Sequence, residues 1–262
     1  MTIPCTVAVL TYNSASTLER CLSSVKDFSE IVICDGGSTD MTLEIAKKFN
    51  ARVIPQDQIH LDSDARIRNF AGVRNQTLEV ASESWFLYLD SDEYISEELK
   101  EEITEIVNTK KVSVFWTPRQ YVLNGDVIKC AATYPNRQVR FFHRDAVTCF
   151  IKEIHERIEV QTKQVNILEN PIYAPIPQTV AAMKKKWRRY LELEARRRPP
   201  LSFRTWVTSA AHECAVAGLF FSRTLRNLVF CRGKRLPLNY EIARLWYQMR
   251  LTIDSARSIR GW

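Results

Sequence analysis

Apolar and polar positions along the chain change their period several times, and each change marks an element. Residues 5–10 form a nearly unbroken apolar run with β-branched members, the pattern of a strand covered on both faces. Ser16-Thr17-Leu18-Glu19 reads as a capping box, and Leu18, Cys21, Leu22 and Val25 follow at helical spacing. Residues 31–34 repeat the buried-strand pattern, and Asp40 stands where it can cap a helix that turns Ile45, Ala46 and Phe49 inward. A short strand over 52–54 and a helix over 64–81 follow, the helix with Ile67, Phe70, Ala71, Leu78 and Ala81 on one stripe. Then come a strand at 85–89, a helix capped by Ser96 with Leu99, Ile103, Ile106 and Val107 inward, and a strand at 112–116.

Strand–helix alternation of this kind predicts an α/β fold with a mostly parallel sheet and helices on both faces. Past residue 119 the texture changes. Asn124-Gly125 is a hairpin signal, and 137–143 and 154–160 read as further strands, an antiparallel add-on to the sheet. Pro171, Pro175 and Pro177 mark a boundary, which predicts a first domain over 1–175 and a helical C-terminal extension over 176–262. Within the extension, 178–198 is amphipathic, Pro199-Pro200 ends it, and helices are predicted over 203–231 and 239–259.

Charge sharpens that division. The chain of 262 residues carries a net +7, yet 1–179 holds 19 Lys and Arg against 25 Asp and Glu (−6), while 180–262 holds 18 against 5 (+13). An acidic front and a basic tail imply separate tasks. Seven cysteines, an odd number without a CxxC pair, argue against a disulfide framework or zinc ribbon and for a reducing compartment. The first residues lack the basic region of a signal peptide, and no stretch reads as a membrane span.

Ligands on parallel sheets bind beyond the carboxyl ends of the strands. There the chain places Thr11-Tyr12-Asn13, Asp35-Gly-Gly-Ser-Thr-Asp40 and Asp90-Ser91-Asp92-Glu93. Alternate carboxylates such as Asp90 and Asp92 suit a hard divalent cation that also takes phosphate oxygens, although the same residues are common in a helix-start turn. Asp35 at a strand end can accept from an N–H on a base edge, and the glycines allow close approach, or the segment is simply a capped turn. Arg74 could meet a phosphate or lie solvated. GxGxxG and GxxxxGK[ST] loops are absent.

Taken together, Val9-Leu10-Thr11-Tyr12-Asn13, Asp35-Gly-Gly-Ser-Thr-Asp40, Arg74-Asn75 and Asp90-Ser91-Asp92 resemble, in order and spacing, the family 2 glycosyltransferases of GT-A fold over about residues 4–173. Asn136-Arg-Gln-Val-Arg140-Phe-Phe-His-Arg144 and Ile154-His155-Glu156 are similar to a pattern of the lipopolysaccharide core β-1,4-glucosyltransferase subgroup. Two positions depart from the pattern: Gly36 stands where Ser is usual and Arg157 where Gly is usual, and the QxxRW motif of processive synthases is missing. The resemblance implies inverting, non-processive transfer of a hexose from a UDP-sugar to a saccharide or lipid-linked acceptor. It implies that Thr11, Tyr12 and Asn13 line the base and Asp35 reads the uracil N3–H. Asp90 and Asp92 hold Mg²⁺ or Mn²⁺ with Ser91 between them, and His155 touches the metal or a phosphate. Arg74 adds charge near the diphosphate, and Glu156 serves as general base.

The rivals are a metal-dependent nucleotidyltransferase, which usually has Gly and basic residues after the first strand where 11–17 has none, and a non-catalytic sugar-nucleotide or membrane adaptor. Lys184-Lys-Lys-Trp-Arg-Arg189 could bind nucleic acid, but the acidic front domain disfavours that. Trp187, Trp206, Phe220, Phe221, Phe230 and Trp246 beside the cations favour peripheral docking on the anionic inner, cytoplasmic face of a membrane.

Overall fold

The computed structural model describes residues 2–63, 66–109, 111–153, 156–162, 164–197 and 201–259. The strands are β1 (Ile3–Thr11), β2 (Phe28–Asp35), β3 (Arg52–Pro55), β4 (Trp85–Asp90), β5 (Tyr94–Ile95), β6 (Val114–Leu123), β7 (Asp126–Val127), β8 (Asn136–His143), β9 (Val147–Ile151), β10 (Arg157–Val160), β11 (Asn166–Ile167) and β12 (Ile172–Pro175). The helices are α1 (Ala15–Ser24), α2 (Thr42–Lys48), α3 (Phe70–Val80), α4 (Glu97–Asn108), α5 (Val180–Arg197), α6 (Phe203–Phe230) and α7 (Leu238–Ala256).

The main sheet runs β3-β2-β1-β4-β8-β6-β12-β5, with β7 and β11 also paired to β6. β1, β2, β3 and β4 are mutually parallel, and β8 joins β4 antiparallel. This is the expected α/β architecture with its antiparallel add-on. β1 is buried from Cys5 to Thr11 and mostly apolar because both its faces are covered. Val7, Val9, Leu87 and Leu89 enter one core with Leu18, Leu22 and Ile103 of α1 and α4. The alternate residues Ala8, Phe86 and Tyr88 enter a second core with Ala71 and Leu78 of α3 and with Phe142.

Several local expectations are corrected. Ser16 lies inside α1 and caps nothing; Ser14 precedes the helix, and the Ala15 N–H donates to Asp40 Oδ2 at 3.1 Å. Asp40 Oδ1 accepts from the Thr42 N–H at 3.0 Å, so one carboxylate serves the starts of two helices. The helix expected over 64–81 begins at Phe70. Asn69 caps it by accepting from the Gly72 N–H, and 61–63 and 66–69 are held instead by a Leu61–Ile67 bridge (Asp64 and Ala65 lie outside the described residues). Gly72 is required there: a Cβ would lie 2.3 Å from the His60 ring. The strand expected over 112–116 is β6, which starts later and runs longer, and the strand expected over 154–160 is described from Arg157. Asn124 and Gly125 both take positive φ, as a tight hairpin between β6 and β7 demands.

The chain divides into two compact units, one of residues 1–119 and 135–174, the other of 120–134 and 175–262. The segment 120–134, which the sequence assigns to the front domain, thus belongs with the C-terminal helices. A disulfide joins Cys130 to Cys231, against the cysteine reading; the pair is 101 residues apart, so no local spacing announces it. In this second unit Leu123, Ile128, Met183, Leu236, Tyr240 and Ala243 form the core, and Arg244 lies over the rings of Tyr121, Trp187 and Phe220. Among the described residues no helix is long and apolar enough to cross a membrane.

Candidate functional site

Parallel register brings the three acidic segments together. Thr11 pairs with Asp35 across β1 and β2, and Leu10 pairs with Asp90 across β1 and β4. Three strands therefore end at one edge with their following loops side by side.

Asp35 organises the first loop. Its Oδ1 accepts from Thr11 Oγ1 at 2.7 Å and Ser38 Oγ at 2.6 Å; its Oδ2 accepts from the Gly37 and Ser38 N–H groups at 2.9 and 2.8 Å. Gly37 has φ +85°, which turns those two N–H groups back onto the carboxylate. Asn13, also at positive φ, donates its N–H to Ser38 Oγ and accepts from the Thr39 N–H. Tyr12 is exposed beside them. Gln56 was not foreseen. It is buried and donates to the carbonyls of Thr11 and Cys34, and its Oε1 would lie 3.0 Å from a Cβ at Gly36. The departure from the usual Ser at position 36 thus accompanies a buried glutamine.

The second cluster centres on Asp90. Arg74, 2% exposed, donates from Nη2 to Asp90 Oδ1 at 2.5 Å and from Nη1 to the Leu89 carbonyl at 3.3 Å. Arg140 Nη2 stands 3.3 Å from Asp90 Oδ2, and Arg119 Nη2 stands 3.8 Å from the same oxygen. Burial works to raise the Asp90 pKa, but the guanidiniums of Arg140, Arg74 and Arg119 outweigh it and hold the carboxyl well below the ordinary range. Glu93 is fully buried. Its Oε2 accepts from the Asp90 N–H at 3.0 Å, and its Oε1 accepts from Arg119 Nε at 2.6 Å. Two guanidiniums lie against the Tyr88 ring, Arg74 4.7 Å and Arg140 4.5 Å from its centre. Arg74 Nε and Arg140 Nη1 are buried without a hydrogen bond, and each faces a carboxylate oxygen in a longer ion pair, Glu156 at 3.6 Å and Glu93 at 3.4 Å.

Sequence reading placed Arg140 only inside a motif and did not single out Arg119. A lone Arg after a Pro in a strand carries no signal; the pairing of β8 with β4 brings Arg140 to Asp90, and that of β6 with β8 brings Arg119. Ser91 Oγ donates to Ser14 Oγ at 3.0 Å. Asp92 is half-buried, and its carbonyl accepts from Arg20 Nη2 at 3.4 Å. Glu156, with its side chain 19% exposed, stands 3.6 Å from Arg74 Nε, so the candidate base and Asp90 share one arginine. His155 lies outside the described residues.

Carboxylate oxygens suit Mg²⁺ or Mn²⁺, and the Asp90 side chain remains 40% exposed. Among the described residues no group of three or more His, Cys, Asp and Glu gathers as a metal cage. The donor set fits a cation that takes most of its ligands from phosphate and water.

The model of the family described as glycosyl transferase family 2 matches residues 6–156. The SPbeta prophage-derived glycosyltransferase SunS of Bacillus subtilis (strain 168) is 31% identical over 102 residues, 38% of this chain and 23% of SunS. A PGL/p-HBAD biosynthesis glycosyltransferase of Mycobacterium bovis (strain BCG / Pasteur 1173P2) is 34% identical over 96 residues, 35% of this chain and 36% of the relative. The matches therefore span about a quarter to a third of these relatives' lengths. Among solved structures, S. aureus TarS 1-349 in complex with UDP-GlcNAc superposes with a TM-score of 0.51 at 16% identity, over 98% of this chain and 90% of that one. The same protein in complex with UDP gives 0.50 at 21% identity, over 74% and 64%. At these identities the likeness is one of fold.

Proposed function

The chain belongs to glycosyl transferase family 2 and has its GT-A fold, and from that premise we propose that it moves one hexose from a UDP-sugar to a saccharide acceptor with inversion. The observation that carries this reading is the convergence of Asp35 and Asp90 at adjacent strand ends with Arg74, Arg119 and Arg140 about Asp90. UDP and UDP-GlcNAc bound to the fold neighbour TarS support the donor class.

In this reading the Thr11–Asn13 turn and Tyr12 receive the base. Asp35 holds that turn, and the Ser38 hydroxyl is the donor it can exchange for a uracil N3–H. The guanidiniums of Arg74 and Arg140, held on Asp90, supply positive charge for the leaving diphosphate. Asp90 and Asp92 would hold Mg²⁺ or Mn²⁺, which when bound offsets the charge that grows on the leaving phosphate. Glu156 takes the proton of the acceptor hydroxyl as its oxygen bonds to the anomeric carbon, and the electron pair of the breaking bond leaves with UDP. The acceptor is assigned to a growing envelope saccharide of the lipopolysaccharide-core kind, with the enzyme on the cytoplasmic side of the membrane.

Calorimetric titration with UDP and GDP, each with and without Mn²⁺, tests the donor. Metal-enhanced binding of UDP over GDP is expected; preference for GDP overturns the base-reading role of Asp35. A panel of UDP-hexoses, with the product anomer read by NMR, then tests transfer and inversion. Asp92→Ala should abolish turnover; unchanged function in that variant would favour a non-catalytic adaptor.

A further inference from the structure

None of the 28 residues of α6 is buried. Its inward side meets α7: Trp206 Nε1 donates to the Thr252 carbonyl, and Phe220 lies under Arg244. A neighbouring side presents Phe203, Val207, Phe221, Leu225 and Val229, whose spacings are multiples of the helical turn, so they form one stripe, with the Phe203 ring 6.0 Å from that of Trp206. Phe203 is 64% exposed, Phe221 54% and Val229 72%. Exposed apolar surface of this extent marks a contact site. Of the aromatic residues expected to meet a membrane, Trp187 and Trp246 instead pack under cations of the helical unit, which leaves Phe221 and Phe230 exposed and adds Phe203.

Charge decides what the stripe meets. Arg204 and Arg226 follow Phe203 and Leu225 directly and so stand at its border. Arg226 also lines a cavity of about 250 Å³ at the C-terminal end of α6 with Lys129, Tyr134, Asn227 and Phe230. The stretch 180–262 carries 18 cations against 5 carboxylates. A second copy would bring the same excess against itself, whereas an anionic bilayer supplies both the opposite charge and an apolar layer. α6 is long enough to span by length alone, at about 1.5 Å per residue. Yet Arg204, Glu213, Arg223 and Arg226 lie within it, so it suits lying in the interface plane instead.

We propose that the Phe203–Val207–Phe221–Leu225–Val229 face of α6 docks on an anionic phospholipid bilayer, with Arg204, Arg226 and Lys129 at the level of the lipid phosphates. This goes beyond the donor chemistry and depends on the helical unit alone, so failure of the glycosyl-transfer reading would leave it standing.

Flotation of the full chain with phosphatidylcholine vesicles, with and without phosphatidylglycerol, tests it. Binding to the phosphatidylglycerol vesicles is expected, weakened at high salt and reduced at least tenfold in Phe221→Asp/Leu225→Asp. Both positions are exposed, and an unchanged circular dichroism melt of the double variant confirms its fold. Should that variant melt early, Arg204→Ala/Arg226→Ala serves instead, with the same expected loss. The proposal is overturned if the chain ignores anionic vesicles, if the folded variants bind undiminished, or if light scattering shows a dimer that the aspartates dissociate.

Discussion

The guanidinium of Arg74 is buried and grips the Asp90 carboxylate at 2.5 Å, and the pair sits where β4 ends beside β1. Because Arg119 and Arg140 face the same carboxylate, Asp90 is the anionic centre of a cationic pocket.

Asp90→Asn is expected to lower transfer by about a hundredfold or more, since it releases the geometry of donors that face developing charge. Its pKa is depressed, so its contribution to stability is full above the unfolded value near 4 and is lost only as pH falls toward the folded one. Urea melts over a pH series should show an acid-side loss in the parent that Asp90→Asn lacks.

Glu93→Gln should be costly to the fold. The carboxylate is fully buried, accepts the Asp90 N–H and pairs with Arg119 and Arg140. Neutralising it leaves Asp90 as the carboxylate that Arg119 and Arg140 share, a loss of about 3 kcal/mol. Chemical denaturation would register this as a lower midpoint with an unchanged slope.

Gly36→Ser, the residue usual in the resembled family, should destabilise this chain by about 1–3 kcal/mol through overpacking. The new Cβ falls 3.0 Å from Gln56 Oε1, and Gln56 is tethered by two carbonyls. The combination with Gln56→Ala should cost less than the two single changes added together; additivity in a double-mutant cycle would refute the contact.

Glu241→Gln isolates a buried carboxyl of the helical unit. Glu241 accepts from the Ala132 N–H at 2.8 Å, and burial raises its pKa despite that bond and the nearby Arg244. A raised carboxyl contributes stability below its unfolded pKa and loses it as pH rises through the folded value. Melting temperature against pH should therefore decline less steeply above about pH 4.3 in the glutamine variant, which keeps the acceptor and sheds the charge.

The sequence itself determined the alternation of elements. The run 85–89 is apolar at every position and 5–10 at all but Thr6, the pattern of strands covered on both faces. Asp35 and Asp90 were also legible, because short-range order fixes their place at strand ends, and Arg74 was legible from the motif it shares with Asn75 on α3. What the tertiary structure decided is everything that depends on chains meeting from afar. Arg140 reaches Asp90 through the β4–β8 pairing and Arg119 through the β6–β8 pairing, Cys130 finds Cys231 across 101 residues, and Gln56 fills the space that Gly36 leaves. The helix start at Phe70 rather than residue 64 belongs to the same class, since His60 packs on Gly72 and Asn69 supplies the cap. Periodicity reports which face of an element is buried. It cannot report which distant polar group waits there, because that choice is made by packing and charge after the elements have formed.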